Sequence, residues 1–147
     1  MKIKVAWIGK TKHPAIQGLT AEYLKRLSAY SQVEPLALGS EATLLKLVAK
    51  TGNRPSSRLV LLDSRGRQFT SEELAGFLDE QQNRSPQPLL FAVGPADGFS
   101  QEARKRASFL LSLGKMTLPH ELARVVLLEQ LYRAFTILKG HPYHLGH

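Results

Sequence analysis

Four residues near the C-terminal end carry side chains able to move a proton or hold an anion. Glu129 and Arg133 are four apart, so on a helix they share a face and can pair. On an open face such a pair is a modest structural contact. Among apolar neighbours its desolvation is costly unless the pair serves a specific task. Just beyond lie Tyr143 and His144, in the run His-Pro-Tyr-His. An imidazole titrates near neutrality and an aromatic ring can stack on a base. A carboxylate, a guanidinium, a phenol and an imidazole gathered there could hold a phosphate or a base.

A second group of candidates sits where strands should end. These are Leu62-Asp63, the run Val93-Gly94-Pro95-Ala96-Asp97-Gly98, and Leu113-Gly114-Lys115-Met116-Thr117-Leu118-Pro119. In open α/β sheets, ligands bind at the carboxyl ends of strands, and glycine there lets backbone approach a ligand closely. Alone, Val93–Gly98 reads as an ordinary turn. With a second glycine-bearing strand end it reads as part of a site. Neither GxGxxG nor GxxxxGK[ST] occurs, so dinucleotide and nucleotide-phosphate loops are not indicated. There is no cysteine and no GxSxG elbow to support nucleophilic catalysis. His141, His144 and His147 have a chelating spacing, but no acidic or thiolate partner is near and no metal is expected.

The elements that must carry these residues alternate along the chain. Strands are expected at Lys2–Ile8, Val33–Leu38, Arg58–Leu62, Leu89–Val93 and Ser108–Leu113. Helices are expected at Ala15–Leu27, Glu41–Lys50, from a capping box at Thr70 and Glu73, after Ser100, and over Glu121–Leu138. Thr51–Ser57 and Gln82–Gln87 read as polar loops. The unbroken apolar run Leu89–Val93 suggests a strand buried on both faces. This alternation predicts an α/β fold: a mostly parallel sheet of five or six strands with helices on both faces. The 147 residues fit one domain, taken as 1–147.

Two further features bear on partners. The last helix carries Leu127, Leu131, Phe135 and Leu138 on one side, and Leu122, Val125, Val126 and Ile137 on another. A helix apolar on two sides is buried on two sides. The second cover is expected to be another copy of the chain; the alternative is a central helix roofed by the N-terminal helices. The net charge of +8, spread along the chain, suits either solubility or an anionic partner, most often nucleic acid. The N-terminal apolar run is too short for a signal peptide and no stretch suffices for a membrane span, so a cytoplasmic location is expected.

The run GKMTLPHELARVVLLEQLYRAF and the closing HPYH closely resemble the RlmH family, small SPOUT-class methyltransferases. The resemblance extends over the KIKV start, the EYLKRL helix, the LLD strand end and the glycine turn. It implies a C-terminal trefoil knot, a homodimer and S-adenosylmethionine as cofactor. It implies methylation of N3 of a pseudouridine in large-subunit (23S) rRNA of the assembled ribosome. Carried over, it puts cofactor contacts at Leu62, Gly94, Leu113, Gly114, Lys115, Met116, Thr117 and Leu118. For that reaction the candidate bases are His144 and Glu129, or else water; Arg133 would hold a phosphate or the developing imide anion, Tyr143 would stack on the target base, and Lys115 would turn away from a cationic sulfonium or toward RNA. The family commonly has Gly-Gly-x-x-Gly where this chain has Gly94-Pro95-x-x-Gly98. Proline removes a backbone donor, so one main-chain hydrogen bond open to the family at that point is missing here, and the sequence leaves its effect on cofactor affinity open. Two other readings are a ribosome- or RNA-binding relative without catalysis, and a small-molecule enzyme on the same fold.

Overall fold

The computed structural model describes residues 1–51 and 54–143. In chain order the elements are β1 (Lys2–Ile8), α1 (Pro14–Leu27), β2 (Gln32–Leu38), α2 (Glu41–Leu47), β3 (Lys50–Thr51), β4 (Arg54–Pro55) and β5 (Arg58–Gln68). Then come α3 (Ser71–Arg84), β6 (Leu89–Val93), α4 (Gln101–Arg106), β7 (Phe109–Ser112) and α5 (His120–Leu138). Five strands form one parallel sheet in the order β2-β1-β6-β5-β7, and β3 pairs with β4 as a small antiparallel ribbon. No helix among the described residues is long and apolar enough to cross a membrane.

The sheet is covered on both faces. Central β6 shows why its sequence is continuously apolar: Leu89, Phe91 and Val93 join the core under α1, α3 and α5, while Leu90 and Ala92 join the core under α2 and α4. All five are buried. Local chemistry starts the helices where expected. Pro14 occupies the first turn of α1, where its missing N–H costs nothing. Thr70 and Glu73 form a reciprocal capping box, with bonds of 3.0 and 2.8 Å. Ser100 caps α4 and is itself held by both oxygens of Glu41, at 2.7 and 2.6 Å, which ties α4 to the start of α2.

Several expectations need revising. Helix α2 stops at Leu47, and the stretch read as a loop from Thr51 contains the β3–β4 ribbon. Helix α3 runs on to Arg84, into the stretch read as a loop.

Strand β5 does not stop at Leu62 but continues six residues through a polar stretch. Its pairing with β7 breaks after Leu62↔Leu111 and resumes at Arg67↔Leu111, so Asp63–Gly66 bulge out of the ladder. Gly66 passes so close to β7 that a Cβ there would lie 2.6 Å from the Leu110 carbonyl carbon.

Helix α5 packs in the groove between α1 and α3. Leu127, Leu131 and Phe135 are buried as expected, but Leu138 runs past the sheet and stays 37% exposed. Much of the second cover of α5 is therefore intramolecular. Its remaining outward face holds Leu122, Val126, Glu129, Arg133 and Ile137, none of them buried.

Candidate functional site

The three strand ends converge. Leu62, Gly94 and the whole run Leu113–Leu118 line one open cavity of about 170 Å³ at the ends of β6 and β7 and beside the point where β5 bulges. Helix α4, which follows β6, lies on one face of the sheet, while α3 and α5, which follow β5 and β7, lie on the other. Loops that leave neighbouring strands toward opposite faces open a crevice between them. Asp63, Phe99 and His120 also line it, although sequence reasoning gave none of them a cofactor role.

The loop that closes the cavity is made for contact through its backbone. Ser112 Oγ donates to the Gly114 carbonyl at 2.9 Å and accepts from the Gly114 N–H at 3.2 Å, which folds the turn at φ +143°. That dihedral is open to glycine and strained for other residues. Among the described residues, no hydrogen bond engages the main-chain N–H of Lys115, Met116, Thr117 or Leu118. Such groups want partners. Apolar side chains, Leu62, Phe99 and Leu113 among them, flank them. Lys115 and Met116 are exposed at the edge of the cavity they help to line. Pro95 opens a β-turn in which its carbonyl accepts from the Gly98 N–H at 2.9 Å, with Gly98 at φ +83°.

Asp63 fixes the β5 bulge on the cavity wall. Its side chain is 6% exposed and accepts from Arg104 Nε at 2.7 Å and from the Arg65 N–H at 2.8 Å. Burial pushes this carboxyl up, but those two donors outweigh it and hold the group below the ordinary carboxylate range.

The polar group expected on α5 also assembles. Arg133 Nη2 donates to Glu129 Oε2 at 2.7 Å, the Tyr143 hydroxyl donates to the same oxygen at 3.0 Å, and Gln130 Nε2 donates to Oε1 at 2.9 Å. The Arg133 guanidinium lies 5.0 Å from the centre of the Tyr143 ring, whose edge meets Tyr132. Burial first, then the bond to Glu129, pushes the Tyr143 phenol far above its ordinary range, so it is a donor and not a base near neutrality. The Glu129 contact raises Arg133, which stays cationic. His144 and His147 lie outside the described residues. His141 binds the Tyr30 hydroxyl, and no cluster of three or more metal-ligating side chains occurs among the described residues.

The cavity and the polar group are apart within one chain. The cavity reaches α5 at His120 and Ala123. At about 1.5 Å of rise per residue, Glu129 lies roughly 9 Å and Arg133 roughly 15 Å further along the axis from Ala123. Neither lines the cavity.

Sequence reasoning missed a third feature, at the start of α5. Glu121 and Arg124, 7% and 2% exposed, reach across to the loop after β1. Glu121 Oε1 accepts from the Lys12 N–H at 2.7 Å, and Arg124 donates to Thr11 Oγ1 at 2.7 Å while lying 4.1 Å over the Trp7 ring. Burial works to raise the Glu121 carboxyl, but the N–H groups of Lys12 and His13 overcome it and keep the group ionised. These contacts span more than a hundred residues of sequence, and no local pattern announces them.

Comparison with known proteins agrees with this geometry. The family described as predicted SPOUT methyltransferase matches residues 1–144. The chain is 61% identical over its full length to a ribosomal RNA large subunit methyltransferase H of Koribacter versatilis, all of which is covered. It is 45% identical to the like-named protein of Gloeobacter violaceus, across 99% of this chain and 100% of that one. Among solved structures, a probable methylase family protein from Haemophilus influenzae aligns with a TM-score of 0.60 at 14% identity, over 96% of this chain and 69% of that one. A probable methyltransferase from Bordetella pertussis aligns at 0.58 and 10%, over 91% and 93%. At those identities the structures speak for the fold alone.

Proposed function

We propose, for a chain that belongs to the SPOUT methyltransferases and within them to the ribosomal RNA large subunit methyltransferase H family, methyl transfer from S-adenosylmethionine to N3 of a pseudouridine in 23S rRNA of the assembled ribosome, in the cytoplasm. The observation that carries this reading is the cavity. All eight residues assigned to the cofactor line it, and its closing loop offers unengaged main-chain donors beside apolar walls. Backbone groups of that kind read an adenine edge, and Leu62, Phe99 and Leu113 suit its faces. When bound, S-adenosylmethionine supplies a methyl carbon made electrophilic by a cationic sulfur. In the SPOUT fold the C-terminal segment would thread a loop to form the trefoil knot, leaving a pocket of backbone loops.

Alignment is the main task left to the chain. Methylation at N3 would require the N3 proton to pass to a base. Glu129 is poorly placed for that part, because Arg133, Tyr143 and Gln130 already occupy its oxygens. In this reading Glu129 positions Arg133 and Tyr143, Arg133 faces the developing imide anion or a phosphate, Tyr143 packs against the target base, and His144 takes the proton. Because the polar group and the cavity are apart in one chain, a homodimer would complete each site with the partner's α5 and tail. The outward face of α5, with half-exposed Leu122, and Leu19 on α1 are the apolar surfaces available for that contact.

The test uses ribosomes from cells lacking the corresponding methyltransferase, incubated with the protein and labelled S-adenosylmethionine. Mass spectrometry of 23S rRNA fragments should find one methyl on a pseudouridine. Label on another nucleotide, or on small-subunit rRNA, would overturn the assignment. Mixed dimers sharpen the shared site: a chain with a defective cavity combined with a chain lacking Tyr143 and His144 should regain activity that neither parent has.

A further inference from the structure

The loop Gly9–His13 joins β1 to α1 and carries Lys10, Lys12 and His13, all exposed. No ion pair engages Lys10 or Lys12 among the described residues. The same holds for Lys115 on the cavity loop. The backbone of the loop at Thr11–His13 is held by buried charge. Glu121 takes the N–H groups of Lys12 and His13 at 2.7 and 3.5 Å and stands 3.8 Å from His13 Nε2. Arg124 binds Thr11 and covers Trp7, yet its buried Nε has no partner. A guanidinium 2% exposed, with a donor left over and no carboxylate bonded to it, is an expensive way to stabilise a fold. What the arrangement secures is the position of one short cationic loop. That loop abuts Glu121, next to His120 on the cavity wall.

We propose that Lys10 and Lys12, fixed by Glu121 and Arg124, form with Lys115 a rigid cationic rim that takes the RNA phosphates flanking the target nucleotide. This rests on the rRNA methyltransferase reading and names the surface by which so small a chain holds its substrate. A mobile lysine gives up rotamer and backbone freedom on meeting a phosphate, whereas a loop already held in place gives up less. Phosphate contacts release counterions, so the rim also sets the salt dependence of binding. Glu121 and Arg124 are positioning residues here and touch no substrate.

The experiment compares two charge-matched double variants of the full chain: Lys10→Ala with Lys12→Ala at the rim, and Lys46→Ala with Lys105→Ala, exposed lysines on α2 and α4 beneath the other face of the sheet. Both lose two positive charges, so overall charge cannot separate them. Ribosome affinity is measured across a salt series, S-adenosylmethionine affinity by calorimetry, and methyl transfer under saturating ribosomes. The rim variant is expected to bind ribosomes about tenfold more weakly, with the slope of log affinity against log salt reduced by roughly 1.5. Its cofactor affinity and saturated rate should stay within about twofold of the parent, and the control should bind ribosomes as the parent does. Glu121→Gln should weaken ribosome binding in the parent and add little in the rim variant, because residues acting through one another are not additive. An unchanged slope in the rim variant, or an equal loss in the control, would overturn the proposal. Full additivity of Glu121→Gln would remove the positioning role. If the parent transfers no methyl to ribosomes, the proposed reaction fails, while ribosome binding still decides the rim by the same comparison.

Discussion

The cavity at the strand ends and the polar group on α5 are built from different parts of the amino acid. The cavity is a backbone object: a bulge in β5, a glycine turn after β7 and a row of unengaged N–H groups. The polar group is a side-chain object, in which three residues converge on one carboxylate. The two should therefore fail differently. Adding a Cβ where backbones pass closely should damage the first, and truncating side chains should damage the second. A cofactor shared by many methyltransferases can be read by main chain, which every residue has. A particular base needs particular side chains.

The largest expected effect tests the backbone half. At Gly66, an added Cβ meets carbonyl carbon, carbonyl oxygen and amide nitrogen of the neighbouring strand at 2.6–2.7 Å, none of them the end of a flexible side chain. Gly66→Ala should cost about 4 kcal/mol, among the larger single-substitution effects. Urea denaturation measures it. A loss under about 1 kcal/mol would mean that the close β5–β7 approach can relax, and the cavity would then be less rigidly backbone-built than described.

The side-chain half should show the opposite profile. His144→Ala and Glu129→Gln should lower the single-turnover rate on ribosomes about 100-fold, the range of acid–base and positioning groups. Cofactor affinity and the urea midpoint should scarcely move for His144→Ala. The division between the two residues is also testable: a rate that rises through the imidazole range and loses that dependence in His144→Ala marks the base. If both variants keep near-parental rates, neither residue is the base and the polar group is structural.

The same contrast explains what could be read before any coordinates. Leu89–Val93 declared itself because an uninterrupted apolar run has few other places to go, and the Thr70–Glu73 box because its two bonds are local. Two of the three strand ends were visible as glycines placed after apolar runs, and the family resemblance then named the cavity residues together. The extension of β5 was not visible: Ser64, Arg65 and Arg67 are exposed, and a strand held by one neighbour's backbone needs no apolar period. The loop held by Arg124 and Glu121 was equally silent, since its partners are 108 to 113 residues apart. Side-chain chemistry at the helix i, i+4 spacing was legible, which is why Glu129 and Arg133 were paired correctly. That the pair is separated from the cavity is a matter of tertiary distance, and no spacing rule carries it.

A smaller effect sits where the two kinds of construction meet. Asp63 uses its side chain to brace the bulged backbone. Its folded carboxyl is held below the ordinary range, so the unfolded chain takes up the proton first as the pH falls. The stabilisation is present above the unfolded value, about pH 4, and disappears as the pH drops through the lower folded value. Asp63→Asn should cost about 1.5 kcal/mol at neutral pH and flatten the decline in stability on acidification. Urea midpoints between pH 2.5 and 7 measure both. An unchanged acid limb would assign that decline to other carboxylates.

The smallest effect is the most pointed test of a backbone-built cavity, because it restores one donor and changes little else. Pro95 lacks the N–H that a glycine would bring to the end of β6. Its carbonyl nevertheless holds the turn to Gly98, so the loop does not need that donor to fold. Pro95→Gly gains a possible hydrogen bond, worth about 1 kcal/mol if it reaches the ligand. It also loses about as much through the freer unfolded and unliganded loop. The two nearly cancel, and calorimetry should find cofactor affinity within about threefold of the parent. Affinity tenfold tighter would mean that the missing N–H points into the cavity and that this chain works with one main-chain contact fewer than its fold allows. Affinity tenfold weaker would mean that the proline holds the turn in its binding shape, so that stiffness at the end of β6 outweighs the donor given up for it.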